Sequence, residues 1–247
     1  MKKKGSINRR EVIVGVGAAL SSIGLSALTS VEAQASQLKA DYSLQKGIRG
    51  LRVPSTLTIV GAGRLGSWAA LFASISGVER LILIDPATVD AKDVATTPFK
   101  PSQIGKPKVE AAREIVLDAR PNANVVIHQQ LFVAEKDAQL LEGGVINGAS
   151  DQKLRRLLPS LAQKKGLGYA AGGYSGLGVA VMDSFPSTSQ IAESDSPVWA
   201  GSAALSAILT IYGVFVAPIN FAGEISRLNV PKAKVNAAFK AFGSEKP

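Results

Sequence analysis

Thr56-Leu57-Thr58-Ile59-Val60-Gly61-Ala62-Gly63-Arg64-Leu65-Gly66 is the stretch that decides the fold. Leu57 to Val60 reads as a short buried strand. It runs through three glycines into a helix whose apolar stripe is Leu65, Ala69, Phe72 and Ile75, and Gly77 stops that helix. A second strand, Leu81-Ile82-Leu83-Ile84, ends on Asp85. Strand, glycine-rich turn and helix, with an acid about 20 residues on, form the fingerprint of a dinucleotide-binding unit. Each glycine has a task. Gly61 allows the tight turn, Gly63 lets backbone amides approach a phosphate, and Gly66 lets helix and strand pack closely. The helix start offers unpaired N–H groups and a partial positive charge to an anion.

Outward from this unit, strands and helices alternate. Gly105-Lys106-Pro107-Lys108 opens a helix striped by Val109, Ala112, Val116 and Ala119, with Pro preorganised for the first turn. Val125–Ile127 is a strand, Lys136–Leu141 a short helix and Val145-Ile146-Asn147 a further strand. Ser150 or Asp151 caps the next helix, which buries Leu154, Leu157, Leu158 and Leu161. Gly168–Ala171 and Leu177–Met182 are two more strands, joined through Gly172 to Gly176. The alternation predicts an α/β fold: a Rossmann-like, doubly wound, mostly parallel sheet with antiparallel strands toward the C-terminus. Pro86 to Gly105 has no clean period and reads as a long excursion, a kind of segment that is usually functional or mobile.

The flanks carry other signals. Residues 1–35 combine Lys2-Lys3-Lys4, Arg9-Arg10 before Val12-Ile13, a moderately apolar run to Leu28, and Ala33-Gln34-Ala35. That order is the order of an export signal, and the paired arginines resemble a twin-arginine signal. The expected division is a signal peptide over 1–35, a nucleotide-binding domain over 36–230 and a polar tail over 231–247. The expected location is periplasmic or extracytoplasmic by the twin-arginine route. A plain Sec signal and an uncleaved membrane anchor are the alternatives. Phe185 to Asp195 reads as a polar loop and Glu224–Val230 as a last strand. Ser196 to Gly223 holds no charged residue, but Pro218 and Asn220 interrupt it, so a core helix is expected rather than a membrane span. Membrane contact is then confined to the N-terminal segment.

Composition excludes several chemistries. The chain has 247 residues and a net charge of +9. The first 35 residues carry +3 of that charge. No basic run or basic–aromatic interleaving points to nucleic acid. With no cysteine there is no thiol nucleophile, no disulfide and no Cys-based zinc site, so zinc is not expected. The single histidine, His128, lies on a strand and reads as structural.

Three segments resemble the ThiF/MoeB/HesA superfamily, the bacterial relatives of ubiquitin-activating enzymes. Gly61 to Gly66 is similar to its Gly-Ala-Gly-Gly-Leu-Gly. Gly77-Val78-Glu79-Arg80-Leu81-Ile82-Leu83-Ile84-Asp85 with Thr88-Val89 is similar to its second-strand motif. Ile104 to Ala112 is very close to its Gly-x-Pro-Lys helix start. Ala149-Ser150-Asp151-Gln152 stands where the family has Cys-Thr-Asp-Asn. The resemblance runs from about Tyr42 to Arg227. It implies ATP, or AMP or another nucleotide, across the strand ends, and a carboxylate, such as the C-terminus of a small ubiquitin-like protein, converted to an acyl-adenylate. It implies Asp85 on the ribose hydroxyls, Lys108 neutralising phosphate charge as it develops, and Asp151 holding Mg²⁺. A homodimer is the usual family state.

The chain departs from the pattern at charged positions. Asp93-Val94-Ala95-Thr96-Thr97 replaces Asn-Leu-x-Arg-Gln, so Thr96 stands for a phosphate-binding arginine. Leu44 stands for the arginine that reaches ATP from the partner subunit, and Ala87 for the second acid of Asp-x-Asp. These losses would weaken an adenylyltransferase. Arg64 takes the place of a family glycine beside the expected phosphates and offers a replacement guanidinium. It would be strained there if the position required positive φ. Two alternatives stay open: a non-catalytic exported module that keeps a nucleotide, and an NAD- or FAD-dependent oxidoreductase with Asp85 on the cofactor ribose.

Overall fold

The structure, a computed structural model, describes residues 40–175, 178–182 and 199–216. Its centre is a six-stranded sheet in the order β3-β2-β1-β4-β5-β6. The strands are β1 (Thr56–Val60), β2 (Arg80–Ile84), β3 (Asn124–His128), β4 (Gly144–Asn147), β5 (Tyr169–Ser175) and β6 (Gly178–Met182). The first five are parallel, and β6 returns antiparallel to β5. The helices are α1 (Arg64–Ile75), the single-turn α2 (Ala91–Val94), α3 (Lys108–Ala119), α4 (Gln152–Lys164) and α5 (Ala200–Phe215).

Burial on both faces explains why β1 and β2 are apolar nearly throughout. Leu57 and Ile59 of β1 face a cluster with Leu65, Ala69, Ala70 and Ala73 of α1, Val109 and Val116 of α3, and Ala207 and Ile211 of α5. Val60 faces the opposite cluster, with Ile84, Val145, and Leu154 and Leu158 of α4. The polar exception, Thr58, is fully buried. Its hydroxyl donates to the Glu142 carbonyl at 3.0 Å and accepts the Glu142 N–H at 3.0 Å, which satisfies it.

Several local expectations are corrected. The buried side of α1 is Leu65, Ala69, Ala70 and Ala73, while Phe72 is half-buried on Trp68 and Ile75 is exposed. Small residues face inward because α5 packs directly on α1. Ala119 and Leu157 are exposed. Lys136–Leu141 contains only a 3₁₀ turn, Ala138–Leu140. Gly172 to Ser175 belong to β5 rather than to a connecting loop. Glycine is needed at 172 because a Cβ there would lie 2.2 Å from Leu65 Cδ1 and 2.5 Å from Thr210 Oγ1. The excursion after Asp85 is partly ordered by α2 and the 3₁₀ turn Pro101–Gln103, and a bridge between Thr88 and Pro107 closes its base.

Within the uncharged run, Ala200–Phe215 form α5, a core helix against α1, β5 and β6. No helix among the described residues is long and apolar enough to cross a membrane. The expected export segment 1–35, the expected loop Phe185–Asp195, the expected strand Glu224–Val230 and the expected tail 231–247 lie outside the described residues.

Candidate functional site

In an open α/β sheet, ligands bind beyond the carboxyl ends of the strands where the order reverses. Here that point lies between β1 and β4. The Gly61 to Gly66 turn and the Gly148-Ala149-Ser150-Asp151 segment meet there. Gly61 has φ +92°, and a Cβ on it would sit 2.5 Å from the Ala149 nitrogen. A Cβ on Gly66 would sit 1.8 Å from the Gly61 carbonyl oxygen. These two glycines close the turn. Gly63 differs: a Cβ there meets no atom within 4 Å, so its surface is open. It is the N-cap of α1, and no side chain caps the helix.

Asp85, at the end of β2, is buried and pinned. Its Oδ2 accepts the Ala62 N–H at 2.7 Å and its Oδ1 accepts the Ala87 N–H at 2.7 Å. The acid thus fixes the glycine turn, and each oxygen keeps acceptor capacity for a hydroxyl. Arg64, the first residue of α1, has no positive φ, since no non-glycine residue does among those described. It lies beside the Tyr174 phenol, and its Nε is buried without a hydrogen-bond partner. Burial pushes the Tyr174 phenol up, opposed by Arg64 and Arg155, while Asp93 pushes it further.

Lys108, at the start of α3, is held by Asp93: Nζ lies 2.9 Å from Oδ2 and 3.1 Å from Oδ1. Asp151 is exposed and is the N-cap of α4, its Oδ1 accepting the Leu154 N–H at 2.6 Å. The capping role accounts for one oxygen. Among the described residues no cluster of three His, Cys, Asp or Glu side chains could hold a metal ion alone. One acid together with waters and phosphates is nevertheless the arrangement Mg²⁺ commonly takes. His128 is half-buried, and its carbonyl accepts the Asp85 N–H at 3.2 Å.

The structure therefore gathers Gly61, Gly63, Arg64, Gly66 and Asp85 around one turn. Lys108 is tied into the neighbouring excursion, and Asp151 sits at the start of the helix after β4. Three residues were not anticipated as members of the site. Asp93 forms a capping box with Asp90, a spacing visible in the sequence, but its pairing with Lys108 crosses a loop. Arg155 is buried, and its Nε donates to the Ala149 carbonyl at 2.6 Å. Burial lowers its pKa. A cation in the first turn of a helix opposes the dipole, and that was the available signal. Tyr174 was hidden in an apparent loop.

The residues fit a phosphate better than a bare solvent surface. An uncapped helix start, an open glycine and a buried guanidinium nitrogen without a partner converge at one place.

The pattern of the ThiF family matches residues 37–235. Over 94 residues the chain is 29% identical to ubiquitin-like modifier-activating enzyme 5 of Caenorhabditis briggsae, covering 38% of this chain and 22% of that protein. Over 92 residues it is 30% identical to tRNA threonylcarbamoyladenosine dehydratase of Bacillus subtilis (strain 168), covering 37% and 36%. E. coli MccB, solved with MccA-N7isoASN, superposes with a TM-score of 0.56 at 16% identity, over 64% of this chain and 56% of that one. E. coli TcdA in complex with ATP gives 0.50 at 19% identity, over 56% and 59%. The chain thus spans well under half of these two curated relatives and a little over half of the solved chains. At such identities the structural likeness is one of fold.

Proposed function

This chain belongs to the ThiF family, and on that premise we propose that it binds an adenine nucleotide at the Gly61 to Gly66 turn and is of the adenylyltransferase type. One observation carries the reading. The uncapped start of α1 and the unpartnered Arg64 Nε lie together at the point where the strand order reverses. Relatives support the nucleotide: MccB has been solved with ATP, and TcdA with ATP and with AMP.

In this reading the N–H groups of the turn and the Arg64 guanidinium bind phosphate. Asp85, already pinned by Ala62 and Ala87, accepts from ribose hydroxyls. Asp151 supplies one carboxylate to Mg²⁺, and Lys108, though paired with Asp93, is the cation proposed to meet phosphate charge as it develops. ATP would supply the adenylyl group to a carboxylate, with pyrophosphate leaving. The carboxylate is proposed to be a protein C-terminus, because named relatives include ubiquitin-like modifier-activating enzymes and MccB has been solved with MccA-N7isoASN. Homodimerisation, and export directed by residues 1–35, are part of the same proposal.

A second reading, a non-catalytic nucleotide-binding module, is favoured by the clamp of Asp93 on Lys108. Calorimetry with ATP, run beside ATP–pyrophosphate exchange in a mixture of peptides with free C-termini, tests both. Binding with exchange that Lys108→Ala abolishes supports adenylyl transfer. Binding without exchange supports the module, and the absence of binding rejects both.

A further inference from the structure

Lys108 and Asp93 form an ion pair with side chains only 16% and 7% exposed, whereas every other ion pair among the described residues is at least 36% exposed on both sides. Asp93 is held in place by further bonds. The Asp93 Oδ2 also accepts the Asp90 N–H at 3.0 Å, and the Asp93 N–H donates to Asp90 Oδ1 at 2.9 Å. The Asp93 carbonyl accepts the N–H groups of Thr96 and Thr97, both at 2.9 Å, and the Thr97 hydroxyl at 2.8 Å. The indole of Trp68 on α1 donates to the Thr96 carbonyl at 3.0 Å, which ties this loop to the helix that starts at the site. On the other side, the Lys108 N–H donates to the Ala87 carbonyl at 2.9 Å.

We propose that Asp93 sets the charge selectivity of the site, cancelling Lys108 so that a nucleotide with one phosphate is preferred to a triphosphate. The proposal rests on nucleotide binding at the Gly61 to Gly66 turn. A single phosphate finds the start of α1 and Arg64. Further phosphates meet a neutral pair, and behind its ammonium a fixed carboxylate. They would be desolvated with no net positive charge to receive them. Thr96 offers no substitute cation, and its hydroxyl is directed to the carbonyls of Lys92 and Asp93.

Asp93→Asn isolates the charge. Asparagine keeps the shape and can still accept from the Asp90 N–H, while Lys108 regains its net charge. Calorimetry of the protein with AMP, ADP and ATP, with EDTA and then with Mg²⁺, reads the effect. Wild type should bind AMP at least as tightly as ATP. Asp93→Asn should tighten ATP about tenfold, the scale of one unit charge at roughly 10 Å in partly screened protein, and AMP much less. Asp93→Ser, which removes the same charge and can also cap, should shift the ratio in the same direction if asparagine disturbs the loop. A wild type that prefers ATP, or an ATP-to-AMP affinity ratio unchanged in both folded variants, overturns the proposal alone. Failure of wild type to bind any of the three nucleotides overturns the binding reading and the proposal with it.

Discussion

Adding one methyl group at Gly63 separates binding from folding. At Gly61 an alanine must adopt φ +92° and place its Cβ 2.5 Å from a backbone nitrogen. Left-handed backbone costs about 1–2 kcal/mol, and overpacking against fixed backbone adds about 1–3 kcal/mol. Gly61→Ala should therefore lose roughly 2–5 kcal/mol of stability by these two terms. At Gly63 φ is −75° and the new Cβ meets nothing within 4 Å. Its fold cost is limited to the poorer capping of alanine, offset by reduced unfolded-state entropy, for a net change within about 1 kcal/mol. The same methyl stands where a phosphate must approach the amides of the turn. Losing one or two charge-assisted hydrogen bonds should weaken nucleotide binding by about 2–4 kcal/mol. Thermal unfolding of both variants, with calorimetric titration of AMP, measures both quantities. The reasoning is refuted if Gly63→Ala binds AMP as wild type does, or if Gly61→Ala is as stable as wild type.

Arg64→Ala should weaken AMP and ATP alike, by roughly 1.5–3 kcal/mol, because the guanidinium meets the phosphate nearest the start of α1 in both; equal affinities of wild type and variant by calorimetry would show that Arg64 serves only Tyr174. Burial pushes the Tyr169 phenol up to about 12, against its bond from Asn147. The unfolded chain releases that proton near pH 10 and the folded chain does not, so this group's stabilisation is complete below pH 10 and lost between about 10 and 12, amounting to about 2–3 kcal/mol in all. Chemical denaturation of Tyr169→Phe across that range should show a shallower alkaline loss than wild type. Residues 1–35 fused to a reporter should direct it out of the cytoplasm, and Arg9→Lys with Arg10→Lys should stop it; unchanged export of the double variant would exclude the twin-arginine route.

The parts of the fold governed by local chemistry were readable. Gly61, Gly66 and Gly77 each mark a place where backbone turns or approaches, and Leu81 to Asp85 shows an uninterrupted buried strand ending in an acid. The uncharged run around α5 was readable as core because polar residues break it before it could span a bilayer. Features set by tertiary contact were not readable. Ala70 and Ala73 replace Phe72 and Ile75 on the buried side of α1 because a second helix lies across it. Gly172 looks like loop but is strand, since α1 and α5 converge over it. The glycine turn marked the candidate site, yet its charge balance depends on Lys108 meeting Asp93 across the excursion and on Arg155 folding back to Ala149. Neither pairing leaves a period or a motif.

A crystal structure of the protein grown with AMP tests the central claim most directly. The phosphate should lie against the N–H groups at the start of α1, with the Arg64 guanidinium turned from Tyr174 toward it and the ribose hydroxyls on Asp85. A nucleotide bound elsewhere, or a Gly61 to Gly66 turn with no phosphate against it at saturating AMP, would contradict the account.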